Sequence, residues 1–529
     1  MKIDWGRLKK INKRKCVQIV VLVLFSIIMM WGVKFVFTGS WSAADAYRNF
    51  VIAAFVLMLA LIWFVYFFTN RKQWKIERIY LVCGMVLGSL YLFVLPPAVA
   101  PDEMVHIFSS YHVSNVILHT TGEQEEHGVM MQRACDVDLP VSQDLSRENY
   151  NNVFEATFQP AGDTEMVERS ATIITPSILY AVSGTGMALG RLLHLSNLGV
   201  ILLGTWFNVV FFVGFMYYAM KKLPFGKLAL FAICMLPMTL QQTSSCSYDN
   251  IIFTAIFLIT ALSLHFAYSG EKIKKSEIII YLFASFFLLI CKGGVYSLII
   301  FLPFVLLFTK DKLTKKNILI VCGFGILILV ILLRNQLLGS LLSSNVGAGA
   351  AAAEESGTYI GWAESRAYSI SDFIHDPKSL IILVCNTLVL NIDFYWESMI
   401  GSRLGWLRIE IPDIFIFGFI LILLIGILKK EGEKGELRTG DKIGALLIVL
   451  SAVGGSILGM ALSWTPVGSE YIMGVQGRYF LPMLPLFLVI LRNNRIVVRK
   501  NIDKLAIEGL LLLQTGVIFY LLRSCIGAE

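Results

Sequence analysis

Charge is scarce in this sequence of 529 residues. Only 16% of its residues are Asp, Glu, Lys or Arg, against roughly 25% in an ordinary soluble domain, whereas 56% are hydrophobic. That shortage excludes a fold whose surface is wetted on all sides. Metal-ligand spacing and a paired framework are also missing among the nine cysteines; Cys83, Cys234 and Cys322 sit inside apolar runs, where cysteine acts as a small apolar filler. The first apolar run is too long for a secretory h-region, and no small-residue cleavage site follows it, so it reads as a retained span. No internal repeat relates the two halves, which disfavours a transporter built on repeats.

What the chain does have is apolar runs that approach the ~20 residues needed to cross a bilayer. They predict an all-α polytopic membrane protein of about thirteen spans. The spans lie near 17–37, 49–69, 79–97, 197–220, 226–243, 249–268, 277–291, 295–309, 317–337, 411–428, 443–463, 479–491 and 505–523. Lys2, Arg7, Lys9, Lys10, Lys13, Arg14 and Lys15 precede the first run and place the N-terminus in the cytoplasm. The alternation then puts most of the 45 basic residues on the cytoplasmic side, as orientation by Lys and Arg requires. Those clusters account for the net charge of +8, and no nucleic-acid partner is expected.

The spans divide the chain into 1–97, with the cytoplasmic N-terminus and three spans; 98–196, a first extracytoplasmic loop; 197–337, six spans; 338–410, a second extracytoplasmic segment; and 411–529, four spans. Within the first loop, the mildly apolar stretch 173–193 contains Pro176, Gly184, Gly186 and Gly190, which favours helices lying at the interface over a span. The second segment opens with the Gly/Ala/Ser-rich piece 340–357, expected to be flexible. Residues 380–390 are apolar but too few to cross, and Phe394, Tyr395 and Trp396 fit the outer lipid boundary.

Four motifs at outer span ends carry possible chemistry. In Pro101-Asp102-Glu103-Met104-Val105-His106, two adjacent carboxylates beside a low-dielectric wall suit a general base. Asp102, Glu103 and His106 share a helical face and could instead hold a divalent cation. The bland alternative is a helix start, with proline first and acids in the first turn. Asp249, after Tyr248 in a run of hydroxyls, is either an N-cap or part of a polar substrate cavity. Lys292, before Gly293 and Gly294, sits at a tight turn where glycines let backbone N–H groups approach an anion. Arg478, in Gln476-Gly477-Arg478-Tyr479, is a planar donor suited to phosphate, or else a snorkelling side chain; Arg403 is a weaker candidate of the same type.

Together, the Pro-Asp-Glu with its following His, the Ser-Tyr-Asp before a span, the residues of 401–406 and the string Gln-Gly-Arg-Tyr-Phe-Leu-Pro at 476–482 resemble a bacterial family of multi-pass membrane proteins. That family in turn resembles the GT-C superfamily of polyprenyl-phosphate-sugar-dependent glycosyltransferases. The resemblance implies a GT-C-like fold in the bacterial inner membrane, with the active site on the extracytoplasmic face. It also implies a carboxylate at Asp102 or Glu103 that acts as catalytic base or coordinates a metal, and donor phosphate held by Arg478 and Lys292, with Tyr479 and Arg403 beside them. His106, Tyr248, Asp249 and Gln476 would line the substrate cavity. The implied partners are a polyprenyl-phosphate-sugar donor, membrane lipids and a glycan acceptor such as a cell-wall polysaccharide. A polymerase or ligase of lipid-linked glycans would need the same outer base and cations; a glycolipid flippase is the other alternative, disfavoured by polar candidates at the outer span ends where transporters keep theirs near the midplane.

Overall fold

The computed structural model describes residues 13–37, 45–122, 128–308, 358–433, 435–493, 495–498 and 502–526. The expected span 317–337 and the Gly/Ala/Ser-rich piece 340–357 lie outside them, as do Lys2, Arg7, Lys9 and Lys10 of the basic N-terminal cluster.

Apolar sequence long enough to span becomes continuous helix where proline does not interrupt it. Seven described helices are long and apolar enough to cross a membrane: Lys15–Phe37, Ala46–Asn70, Ile76–Val94, Asn197–Lys222, Asp249–Tyr268, Thr439–Ser463 and Asp503–Ser524. Each coincides with one of the runs read from the sequence. Other expected spans are shorter or broken. The run 226–243 splits into Lys227–Cys234 and Pro237–Thr243, because Pro237 has no N–H to continue the ladder and takes the N1 position of a new helix instead. The run 479–491 starts as two 3₁₀ turns, Gly477–Tyr479 and Leu481–Met483, before the helix Leu484–Leu491. Asp413–Ile427 and Ser297–Leu307 are apolar but short.

Two contacts set the direction of the bundle. Gly84 lies against Val213 and Gly88 against Val209, so Ile76–Val94 and Asn197–Lys222 run antiparallel; a Cβ on Gly88 would stand 2.5 Å from the Val209 side chain. Without a hydrophobic drive between helices in lipid, such close backbone approach provides the packing. Asn197–Lys222 and Asp249–Tyr268 run the same way: Asn208 Nδ2 donates to the Ser245 carbonyl at 2.9 Å, and His265 Nδ1 meets the Lys222 carbonyl at 3.1 Å. The 94, 197 and 249 ends therefore share one end of the bundle. At the other end, Glu277 pairs with Lys222 at 2.5 Å, and Arg492 with Glu433 at 2.7 Å. The helix Lys275–Ile290 starts there and returns to the first end.

On that first end sits the polar segment after residue 95. It has its own small core, in which Ile107, Tyr111, Met130, Val153, Met187 and Leu198 are buried together. The antiparallel pair Val129–Arg133 and Met166–Ser170 covers it. Arg133 closes on Asp136 through Nε at 2.6 Å and Nη2 at 2.9 Å, which satisfies a buried charge pair bidentately. The stretch 173–193 forms the 3₁₀ turn Ser177–Tyr180 and the helix Ala181–Leu192, too short to span.

Candidate functional site

Proline at 96, 97 and 101 stops the helix Ile76–Val94 and keeps the next few residues extended or turned. The following helix starts at Glu103, two residues later than a proline-first start would place it, with Asp102 as N-cap in the left-handed region (φ 60°) and no side-chain cap bond. This unusual backbone points the two carboxylates to different fates. Glu103 turns inward and is 3% exposed. Its Oε2 accepts from the N–H groups of Ala98 at 2.9 Å and Ala100 at 3.3 Å, and its Oε1 accepts from Cys246 N–H at 3.3 Å. Asp102 keeps a side chain that is 60% exposed. Burial pushes the Glu103 carboxyl up to about 7, against the pull of those three N–H donors.

Glu103 is thus a brace between the 96–103 turn and the Cys246 loop, and Asp102 is the carboxylate left open. The sequence left these two interchangeable. The brace has other members that the sequence reading missed. Gln241 clamps Gly405, accepting from its N–H at 2.9 Å and donating to its carbonyl at 3.3 Å, while Trp406 Nε1 donates to the Ala98 carbonyl at 3.3 Å. A glutamine inside an apolar run was the available signal, since polar groups at membrane depth are costly unless satisfied.

Around Asp102 the chain gathers groups from four distant segments. Arg478 Nη2 is 3.5 Å from Asp102 Oδ2. The Arg478 side chain is 5% exposed, and its Nε is buried without a hydrogen-bond partner among the described residues. Gln476 Oε1, two residues earlier, is likewise buried and unpartnered. Lys292 Nζ pairs with Asp249 Oδ1 at 2.7 Å and lies 4.6 Å from the centre of the Tyr479 ring and 5.5 Å from that of Tyr248. The Arg478 guanidinium carbon is 5.4 Å from the centre of the Tyr479 ring. Tyr479, held by its carbonyl to the Tyr296 hydroxyl at 2.8 Å, therefore touches both cations. Asp249 is not an N-cap: Tyr248 occupies that position, and Asp249 opens the first turn with its carboxylate on Lys292.

His106 completes the group from below. Its Nδ1 is 2.7 Å from the Tyr180 hydroxyl, and its ring packs edge-on against Tyr248 at 5.4 Å. Burial pushes its pKa down to about 4, with Asp249 pulling it up and Arg478 pushing it down, so the imidazole is neutral at physiological pH.

Two expectations do not survive. Asp102, Glu103 and His106 do not converge as a cation site, because Glu103 is turned to backbone donors and His106 to Tyr180; among the described residues no group of three or more His, Cys, Asp or Glu side chains is placed to hold a metal. Arg403 is not brought into the cluster either. Its guanidinium pairs with Glu397 and, at 3.0 Å, with Glu410, across the strand pair Arg403–Leu404 and Ile409–Glu410. Its Nε and Nη2 are thereby engaged by neighbouring carboxylates rather than turned toward Arg478 and Lys292.

The arrangement places an exposed carboxylate against a buried guanidinium with a spare donor, next to a second cation whose charge Asp249 balances. That set can take a proton at Asp102 and hold an anion at Arg478. No curated protein and no solved structure matches the chain. The profile of a family described as "Predicted membrane protein (DUF2142)" matches residues 85–487, which contain every residue of the cluster. On that match, over more than half of its length, the chain belongs to the DUF2142 family of membrane proteins.

Proposed function

We propose that this protein is an inverting membrane glycosyltransferase that moves a sugar from a polyprenyl-phosphate donor to an extracytoplasmic acceptor, in the manner of the GT-C enzymes its motifs resemble. Asp102 takes the proton of an acceptor hydroxyl. The freed oxygen attacks the anomeric carbon from the face opposite the phosphate, the carbon–oxygen bond to phosphate breaks, and the phosphate departs with the electron pair. Arg478 supplies hydrogen bonds to the departing phosphate and Lys292 adds positive charge beside it. His106, Tyr248, Asp249 and Gln476 shape the cavity. Thirteen spans in a bacterial inner membrane, with a cytoplasmic N-terminus, would put this site outside the cell and the acceptor among cell-wall or surface polysaccharides.

The observation that carries the reading is the Asp102–Arg478 pair, an exposed base 3.5 Å from a buried cation with an unfilled donor. Such an arrangement suits a ligand with both a proton to lose and an anion to leave. Purified protein in nanodiscs, given polyprenyl-phosphate sugars and a glycan acceptor, is expected to form a glycosylated product, and Asp102→Asn to abolish it while inserting normally. Undiminished turnover by Asp102→Asn would remove this mechanism.

A further inference from the structure

The helices Ile370–His375, Pro377–Leu390 and Ile392–Ile400 follow one another, the last two bent by 61° at their junction. Pro377–Leu390 has 14 residues, about 21 Å of helix, too short by itself to cross the ~30 Å hydrocarbon core; only together with Ile392–Ile400 is it long and apolar enough, and the 61° bend rules out a straight crossing. Its two faces differ. Leu383 and Thr387 are buried. Thr387 Oγ1 accepts from Ile472 N–H at 2.8 Å, and Asn386 Nδ2 donates to the Glu470 carbonyl at 2.9 Å. The other face carries an apolar stripe of Ile381, Ile382, Cys385 and Val389 at helical spacing, and the apolar Ile392 and Trp396 follow past the bend. It is open, with Ile381 63% and Val389 74% exposed.

We infer that residues 370–396 form a platform lying in the membrane interface, its stripe seated among the acyl chains of one leaflet. The depth of the segment argues for lipid as the occupant. Its inner face is hydrogen-bonded to the loop just beyond Trp464, the residue that caps the spanning helix Thr439–Ser463. Trp464 pairs with Trp362 at 5.9 Å, and both are exposed, a placement of indoles that marks a membrane–water boundary. An amphipathic helix at that level buries its apolar face in the headgroup and acyl boundary. Lys378 and Asp393, both exposed, bracket the stripe where polar headgroups would meet them.

The platform also fixes the level of the site. Ser398 Oγ accepts from Gly477 N–H at 2.9 Å, and Gly477 packs so closely on the Tyr395 carbonyl that a Cβ would stand 2.0 Å from it. Arg478 is therefore tied through Gly477 to this element, which would hold it near headgroup height. This holds whether or not sugar transfer occurs at Asp102.

Cys385 lies on the stripe and is exposed, which allows a direct test with the full chain. With Cys16, Cys135 and Cys322 replaced by serine, a fluorophore on Cys385 is compared in nanodiscs with one on Glu165→Cys in a Cys385→Ser background. Quenching by nitroxide-labelled phosphatidylcholine is expected to be several-fold stronger at 385, and quenching by aqueous iodide several-fold weaker. Equal iodide quenching at the two positions would overturn the inference by placing the stripe in water. Protection from both quenchers would overturn it by assigning the stripe a protein cover, either a second copy or residues 309–357.

Discussion

Arg478 and Asp102 stand 376 residues apart in the chain, and their side chains meet at 3.5 Å. One is buried and the other mostly exposed, so the contact marks the wall where the protein interior opens to whatever binds. A buried guanidinium that keeps an unfilled Nε is costly unless a ligand or water uses it. Replacing Arg478 by lysine keeps the charge but removes the planar fork. Arg478→Lys is expected to weaken donor binding or turnover by about tenfold or more, equivalent to at least ~1.4 kcal/mol, with little change in thermal stability. Steady-state kinetics on the lipid donor would check this, and unchanged parameters would show that the fork makes no contact.

The two adjacent acids separate by mechanism. Asp102→Asn is expected to remove activity without changing the melting temperature. Glu103→Gln offers one strong acceptor where the carboxylate offers two, leaving at least one of the Ala98, Ala100 and Cys246 N–H groups short of a partner. That should destabilise by about 1–3 kcal/mol. Thermal unfolding in detergent, set beside activity, distinguishes them; the opposite pattern would reverse the assigned roles.

Protonation gives an independent handle on Glu103. Its carboxyl is raised to about 7, while in the unfolded chain it titrates near 4.5. Between those values the native state holds the extra proton, so the contribution of Glu103 to stability falls as pH rises from about 4.5 to about 7 and is flat above. His106, lowered from 6.5 to about 4, acts in the other sense: the unfolded state takes up its proton first, so stability is lost as pH falls through that window. Subtracting the pH dependence of Glu103→Gln from that of the wild type should leave a declining curve over pH 5–7. A flat difference would mean that the carboxyl is not desolvated.

Much of the fold was legible because bilayer crossing leaves a simple mark: the seven long helices are the runs whose apolar length alone satisfies the hydrocarbon core. Breaks were less legible. Pro237 sits in a run that looks continuous by hydropathy, and only its missing N–H divides it. At the site, residue type and position located Asp102, Asp249, Lys292 and Arg478 near one end of the bundle, but pairing is set by tertiary geometry. Nothing in the sequence says that Arg403 finds Glu397 and Glu410 or that Lys292 finds Asp249. The left-handed backbone at Asp102, which divides its role from that of Glu103, has no sequence signal beyond the nearby prolines.

The Lys292–Asp249 pair tests whether the cluster is a unit. Asp249 is 4% exposed, and its carboxylate is 2.7 Å from Lys292 Nζ. Lys292 is 24% exposed, so removing one partner leaves an only partly solvated charge unpaired, whereas removing both restores charge balance. Lys292→Met and Asp249→Asn are each expected to lower the melting temperature, and the double variant to be less destabilised than the sum of the two, by a coupling energy of at least the ~0.5–3 kcal/mol found for residues in contact. Activity should not recover, because the double variant restores charge balance but not the cation beside the phosphate. Additive destabilisation would show that the two charges are solvated separately. Recovered activity would show that Lys292 serves only to neutralise Asp249, leaving Arg478 as the sole cation for the leaving group.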